Sequence, residues 1–377
     1  MCEYAQQQSI SIIHLQSTGF YSSFSVQLPQ IFPIVDTHPD PDSTQDLRLL
    51  SPWPELAAEV SALGDLDKLE DLDHGHVPYI LILLYYLEKW KQKNGGKAPN
   101  TFKEKTQFRD MIKAAARTDT AEGGEENFDE AAGAVLKTIA PFSLKSGCKD
   151  MFENDSCKDV TTASANFWII ASAIKSFYET HRALPLPGSL PDMKAKSADY
   201  IKLQTIYKNK AKKDIAEVKQ SVRATEKALA REPTIPDAEI ESFCKNAAHV
   251  KVLHGSLLPQ LRIQDRDPQT RKRVLTELET DPTLLSIMLA FEHTGSGSSQ
   301  PNLDDLLANN SSIDREAMTK VFTEVARLAG HELHNISSLT GGMVAQEAIK
   351  IITRQYVPVD NTCVFDGIRG TTLVLRL

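Results

Sequence analysis

Two adjacent glycines inside an otherwise helical stretch near the C-terminus constrain this chain most. The stretch HNISSLTGGMVAQEAIKIITRQ reads as a helix. Asn335 or Ser337 caps its start, and it runs to about Gln355 before Pro358 stops it. An interior glycine costs about 1 kcal/mol against alanine, so Gly341 and Gly342 call for a compensating contact. Ser338, Gly341, Gly342, Ala345, Ile349 and Ile352 share one face at helical spacing. The expectation is that another backbone comes close to that face. Gln346, Glu347, Lys350 and Arg354 then form the opposite, solvated or partner-facing side. After this helix, Thr362 to Asp366 and Thr371 to Leu377 read as a hairpin around a Gly367–Gly370 turn. Leu373, Leu375 and Leu377 alternate with Thr372, Val374 and Arg376. A helix followed by an edge hairpin suits the end of an α/β domain.

The rest of the chain is read against that end. Residues 1–8 carry no pattern. Ser9 to Leu15, Gly19 to Leu28 and Ile31 to Val35 read as three short strands with no crossover helix between them, and Pro29 and Pro33 mark ends or edges. A proline- and aspartate-rich loop leads to a short helix from about Pro54. From there to about residue 330 the pattern is helical. Val77 to Asn94 is strongly apolar and is ended by Gly95-Gly96. Thr101 to Arg117 opens with Thr101 as cap and Glu104 three residues on. Further helices are expected over Glu125 to Ile139, Ala163 to Thr180, Ser197 to Arg231, Asp237 to Leu257, Asp281 to Glu292 and Ser312 to Ala329, with Gly295 to Pro301 as a flexible linker. A chain of 377 residues accommodates two or three domains. The economical organisation is one α/β domain interrupted by a helical insertion: residual strands over 1–52, insertion over 53–311, and a return to the first domain over 312–377.

Composition narrows the function classes. A net charge of -8 argues against a general nucleic-acid binder. The longest apolar run, Val77 to Leu87, is eleven residues and too short for a membrane span. The N-terminus lacks a signal-peptide pattern. Five scattered cysteines with no CxxC pair support neither a zinc ribbon nor a disulfide framework and fit a reducing cytosol or nucleus. No glycine-rich loop follows the first strand, so nothing here cradles a phosphate. Asp73-His74-Gly75-His76 reads as a helix-start loop rather than a metal site, because two histidines without a spaced partner ligand make no cage. His331 and His334 read as caps of the terminal helix. Cys148 and Cys157 lie beside Lys149 and Lys158, which is thin support for a nucleophile. From Met193 to Arg231 there are eleven Lys or Arg against four Asp or Glu; this face is either solvated or a surface for an acidic partner.

Several separated segments carry a family resemblance. Glu332-Leu333-His334, Gly341-Gly342, Ala345-Gln346-Glu347, Ile349-Lys350, Asn361 and Phe365-Asp366-Gly367 resemble the end of the adenylation-type (ThiF/MoeB-like) domain of enzymes that activate ubiquitin-like proteins. The middle of the chain is similar to one branch, the regulatory subunits of the heterodimeric activating enzyme for the cullin-modifying, Nedd-type modifier. The carriers are Asp46-Leu47-Arg48-Leu49 with Pro52, Pro54, Glu55 and Leu56; Asp73-His74 with His76 and Pro78; Phe102 to Lys105 with Phe108-Arg109-Asp110; Glu125 to Phe128; and most densely the PDMKAKSADYIKLQTIY run from Pro191 to Tyr207. The resemblance implies a partial Rossmann-like adenylation-type domain with a large helical insertion. It implies a cytoplasmic and nuclear scaffold with no catalytic, cofactor or metal residues of its own. A catalytic partner subunit would hold ATP and Mg, adenylate the modifier and carry the thioester cysteine. Relative to the family pattern the chain is N-terminally truncated: the opening glycine-rich strand-loop-helix, and the arginine lent to the nucleotide site, are absent. That leaves open which sheet the N-terminal strands join. The rival reading is a stand-alone helical interaction module, or an inactive short form.

The contact with the catalytic subunit is expected at Asp192 to Thr205, through Asp192, Met193, Ala195, Ser197, Tyr200, Ile201, Lys202, Leu203 and Gln204. Pro185, Pro187 and Pro191 stiffen the preceding loop, which lowers the entropy lost on presenting the segment. Methionine and tyrosine are enriched at interfaces. From the residues alone, packing inside the helical block is an equal alternative, and Tyr200 and Leu203 lie on the long helix's own stripe. The resemblance favours the contact. Met193 and Ile201 are placed off that stripe, which makes them the residues on which to test it.

Overall fold

The computed structural model describes residues 1–40, 46–119, 123–255, 258, 268–269, 272, 276, 282–294, 315–328 and 331–376. The linker expected at Gly295 to Pro301 lies outside these residues. The chain divides into two compact units, Met1–Asp36 with Lys251–Leu377, and Thr37–Val250. The first unit opens with a short helix, α1 (Cys2–Gln7), where the sequence carries no pattern. Its Ala5 is buried, and Gln27 Nε2 donates to the Cys2 carbonyl at 2.8 Å. Strands β1 (Ile12–Thr18), β2 (Tyr21–Gln27) and β3 (Phe32–Val35) follow, near the expected spans.

The second unit is helical: α2 (Pro54–Ala62), α3 (Asp71–His74), α4 (Tyr79–Lys93), α5 (Phe102–Lys113), α6 (Glu126–Thr138), α7 (Ser146–Glu153), α8 (Asp155–Lys158), α9 (Asn166–His181), α10 (Ser197–Ala228) and α11 (Asp237–Lys245). Helix α4 buries residues all around its axis, including Ile80, Leu83, Tyr86, Leu87 and Trp90, as expected of a helix at the centre of a core. Helix α5 starts at a full capping box: Thr101 Oγ1 accepts from Glu104 N, and Glu104 Oε2 accepts from Thr101 N at 2.8 Å. The stripe Leu203, Tyr207, Ala211, Ile215, Val218 and Val222 buries α10. Its basic face is largely ion-paired within the unit, Lys202 to Glu59, Lys213 to Glu55, Lys210 to Asp214, and Lys219 and Arg223 to Asp237. Internal pairing therefore accounts for much of the charge that an acidic partner would read. Helix α11 stops at Lys245, well short of the expected Leu257. A 3-10 turn (Ala247–His249) and β4 (Val250–Leu253) replace the rest. Two β-branched valines alternating with Lys251 and Leu253 favour extended backbone there.

Chain return adds α12 (Pro282–Thr294), α13 (Arg315–Leu328), α14 (His334–Thr353), β5 (Thr362–Asp366) and β6 (Thr371–Leu375). The main sheet runs β1-β2-β5-β6, antiparallel throughout, while β3 pairs with β4. The N-terminal hairpin thus joins the C-terminal one, with Phe24 opposite Cys363. One sheet face (Phe24, Val26, Cys363) packs on Met343, Val344 and Ile351 of α14. The other (Tyr21, Val364, Leu375) packs on α12 and α13 through Ile287, Phe291, Met318 and Val321. Gly367 closes the last hairpin at close quarters: its N–H donates to the Phe20 carbonyl at 2.8 Å, and a Cβ there would lie 2.6 Å from that oxygen.

The small-residue face of α14 is not the packed one expected, although Gln346 and Arg354 are exposed as expected. Ser338, Gly341, Gly342, Ala345, Ile349 and Ile352 are exposed, and a Cβ on either glycine would meet open space. Inward lie Ile336, Thr340 and Glu347. Thr340 Oγ1 is 2.7 Å from Ser22 Oγ, and Glu347, far from solvated, accepts from Val359 N at 2.7 Å and from Lys350 Nζ at 2.6 Å. The cause is area: the apolar sheet takes the side chains that can bury the most surface, which small residues cannot supply. The helix starts after Leu333 with no side-chain cap and ends at Arg354 in the left-handed region, φ 54°. His331 and His334 are therefore not its caps, and Pro358 is not its stop.

Candidate partner interface

Helix α9 ends where Arg182 turns into the left-handed region, φ 53°. The loop that follows is held against α10. Leu186 N donates to Asp214 Oδ2 at 3.0 Å, and Arg48 bonds the Leu184 carbonyl. At Gly188, φ is +81° and a Cβ would come within 2.8 Å of the Ala211 Cβ. Beyond Pro191, Met193 N donates to Asp192 Oδ1, and Lys194 N donates to both Glu130 oxygens at 3.1 and 3.0 Å. Lys196 pairs with Asp73 just before α10 begins at Ser197. The segment is thus presented on a fixed backbone.

Its nine singled-out residues divide by depth. Leu203 is 1% exposed and Met193 9%, both in the main core of the helical unit, with Ala195 and Tyr200 half-buried against the same core. Met193 was expected off the buried stripe. It precedes α10, and from the loop its side chain reaches the core rather than solvent. Gln204 is half-buried and accepts from Lys208 Nζ at 2.8 Å. Asp192, Ser197, Ile201 and Lys202 are exposed, and Ile201, at 60%, is the large apolar group the segment offers to solvent.

The groups weighed for chemistry are engaged in structure. Cys148, Cys157, Cys244 and Cys363 are buried, and burial pushes their thiols up to about 11, 11, 12 and 11. Such thiols are poor nucleophiles at neutral pH. His74 closes α3 instead of opening a helix. Its Nδ1 lies 2.7 Å from Glu125 Oε1, with both side chains buried and the imidazole stacked on Phe128 at 4.7 Å. Glu125 Oε2 accepts from Arg117 N, and Asn127 Nδ2 donates to the His74 and Val77 carbonyls. His76 Nδ1 bonds the Leu72 carbonyl. Among the described residues no three His, Cys, Asp or Glu converge as a metal set, and no helix is long and apolar enough to cross a membrane.

No protein-family model matches the chain. Curated relatives do. The chain is 33% identical over 369 residues to the NEDD8-activating enzyme E1 regulatory subunit of Xenopus laevis, covering 91% of this chain and 68% of the relative. It is 31% identical over 366 residues to that of Danio rerio, with the same coverage. It is 30% identical over 392 residues to the regulatory subunit AXR1 of Arabidopsis thaliana, covering 98% of this chain and 71% of the relative. The chain belongs to the NEDD8-activating enzyme E1 regulatory subunit family. Within the NEDD8-activating enzyme regulatory subunits, the likeness takes in both compact units, the antiparallel sheet as well as the helical unit that carries Asp192 to Gln204.

Proposed function

We propose that the chain is the regulatory, non-catalytic subunit of a heterodimeric ATP-dependent enzyme that activates NEDD8 for protein neddylation. The observation that carries this reading is similarity to such subunits over 91% and more of the chain. In it, the catalytic subunit holds ATP and Mg, adenylates the modifier and carries the thioester cysteine; this chain scaffolds that subunit and NEDD8 in the cytoplasm and nucleus. The first unit is read as part of an adenylation-type, Rossmann-like domain, and the helical stretch expected over 53–311 as its insertion. Support for the insertion comes from the discontinuity of the first unit, whose two pieces flank Thr37–Val250 in sequence.

The catalytic subunit is read as docking on Asp192 to Gln204, with Ile201 as its exposed apolar anchor. Co-expression of the chain with the catalytic subunit of a NEDD8-activating enzyme, followed by size-exclusion chromatography, tests this. A stable heterodimer is expected, and Ile201→Asp, which alters no buried group, is expected to weaken it about tenfold. A chain that always elutes alone contradicts the pairing and favours a stand-alone helical module. A heterodimer indifferent to Ile201→Asp removes the docking segment but leaves the pairing.

A further inference from the structure

From Lys93 to Lys113 the chain has six Lys or Arg against two Asp or Glu, although its net charge is -8. This stretch runs from the last residue of α4 through a loop to the last residue of α5. Its cations differ from those of α10, which are largely ion-paired within the unit. Lys93, Lys97, Lys103, Lys105 and Lys113 make no ion pair or side-chain hydrogen bond among the described residues. Arg109 comes only to 3.8 Å from Asp110, and its Nε has no hydrogen-bond partner. The nearby acids do not cancel this charge. Glu104 is committed to the capping box, where it accepts from Thr101 N and Asn100 N, and those bonds hold its carboxyl below the ordinary range. On α6, which packs against α5, Glu126 and Glu130 turn to Lys194, and Asp129 is exposed. Phe102, the first residue of α5, is 75% exposed among the cations. At helical spacing it shares a face with Lys105 and Arg109, while Phe108 and Ile112 turn inward and are fully buried. A single exposed aromatic is ordinary. An aromatic beside several unpaired cations, on a helix with a fixed start, has the apolar centre and polar rim of a recognition surface.

We propose that this surface, from Lys97 to Arg109, docks an acidic segment of another protein that also carries an apolar residue. The carboxylates of the segment pair with Lys97, Lys103, Lys105 and Arg109, and its apolar side chain covers the Phe102 ring. Charge complementarity selects the sign of the partner. Exposed charges are screened beyond about 8 Å at physiological salt, so a short segment meets only the local positive field, whereas a long nucleic acid would extend over the acidic remainder of the chain. Single exposed ion pairs contribute little; the ring and several cations act together. The inference stands apart from the heterodimer reading. Its test is fluorescence anisotropy on the purified full chain, with a fluorescein-labelled peptide of mixed Asp and Glu bearing one central Leu. The same peptide with Ser in place of Leu, and single-stranded DNA, are the comparison probes, and the Leu peptide is expected to bind most tightly. Phe102→Ala alters no buried group; it is expected to weaken binding about threefold to tenfold and to erase the preference for Leu over Ser. Lys103→Glu with Lys105→Glu places negative charge near the start of α5, where the helix dipole favours it, and is expected to weaken binding about tenfold or more. Lys208→Glu with Lys212→Glu, at exposed lysines of α10, is the control and is expected to stay within about twofold of wild type. Circular dichroism checks the fold, and Phe102→Ala decides the matter if the charge-reversed chain loses helix content. Failure of the Leu peptide to bind, α5 variants within about twofold of wild type, an equal loss in the α10 control, or DNA bound as tightly as the peptide overturns the inference.

Discussion

Tyr207 and Glu130 illustrate two ways single polar groups are settled in the helical unit. Tyr207 is fully buried, and its hydroxyl donates to the Leu47 carbonyl at 2.7 Å while Trp53 packs edge-on at 4.9 Å. That one bond ties the loop before α2 to α10 and leaves no polar atom without a partner. Glu130 is less well served. Burial is the largest influence on its carboxyl and raises it above the ordinary value of 4.5, with help from the nearby charges of Glu126 and Asp192 and against the bond from Lys194 N. A carboxyl raised in this way binds its proton more tightly in the folded chain than in the unfolded one. Its contribution to stability is therefore complete below pH 4.5 and is lost as pH rises through the higher folded value. Glu130→Gln keeps an acceptor for Lys194 N and cannot ionise. Denaturant midpoints followed from about pH 4 to about pH 7 are expected to decline less with pH in the variant than in the wild type. Parallel curves contradict the assignment.

Helix α14 is held by the side chains it turns toward the sheet, Ile336, Met343, Val344 and Ile351, together with the Thr340 and Glu347 bonds. Its two glycines contribute no contact in the chain itself. Gly341→Ala and Gly342→Ala are each expected to stabilise the folded chain by about 1 kcal/mol, read as a rise in denaturant midpoint; destabilisation by either means that something packs where open space is described. This helix also shows what the sequence could and could not disclose. Its existence and length were legible from periodicity, as were the hairpin of β5 and β6 and the capping box of α5, because each signal is local. Its buried face was not, because both faces carry apolar residues at helical spacing and only the sheet decides between them. Met193 and β4 were hidden for related reasons. A loop residue's direction is set by tertiary packing, and four alternating residues after a helix are too few to announce a strand. In the candidate interface the stiff proline loop was legible, whereas the division of the segment into buried Leu203 and exposed Ile201 depended on how α10 packs.

For the whole molecule, family membership and architecture point to a scaffold. Cys148, Cys157, Cys244 and Cys363 are buried and held protonated, and within the DHGH stretch His74 is held in a buried network with Glu125 and Asn127. The surface left for function is a set of exposed apolar and charged groups on otherwise well-packed helices, Ile201 in the helical unit and Ile349 and Ile352 on α14 among them. Such a surface suits recognition, and in the proposed function the chemistry belongs to the partner subunit. The most direct measurement is ATP-dependent thioester formation with labelled NEDD8, resolved on non-reducing gels, for this chain alone, the catalytic subunit alone, and the two together. The account predicts a thioester on the catalytic subunit that forms efficiently only when both are present. A thioester on this chain, or equal yield from the catalytic subunit without it, would contradict the account.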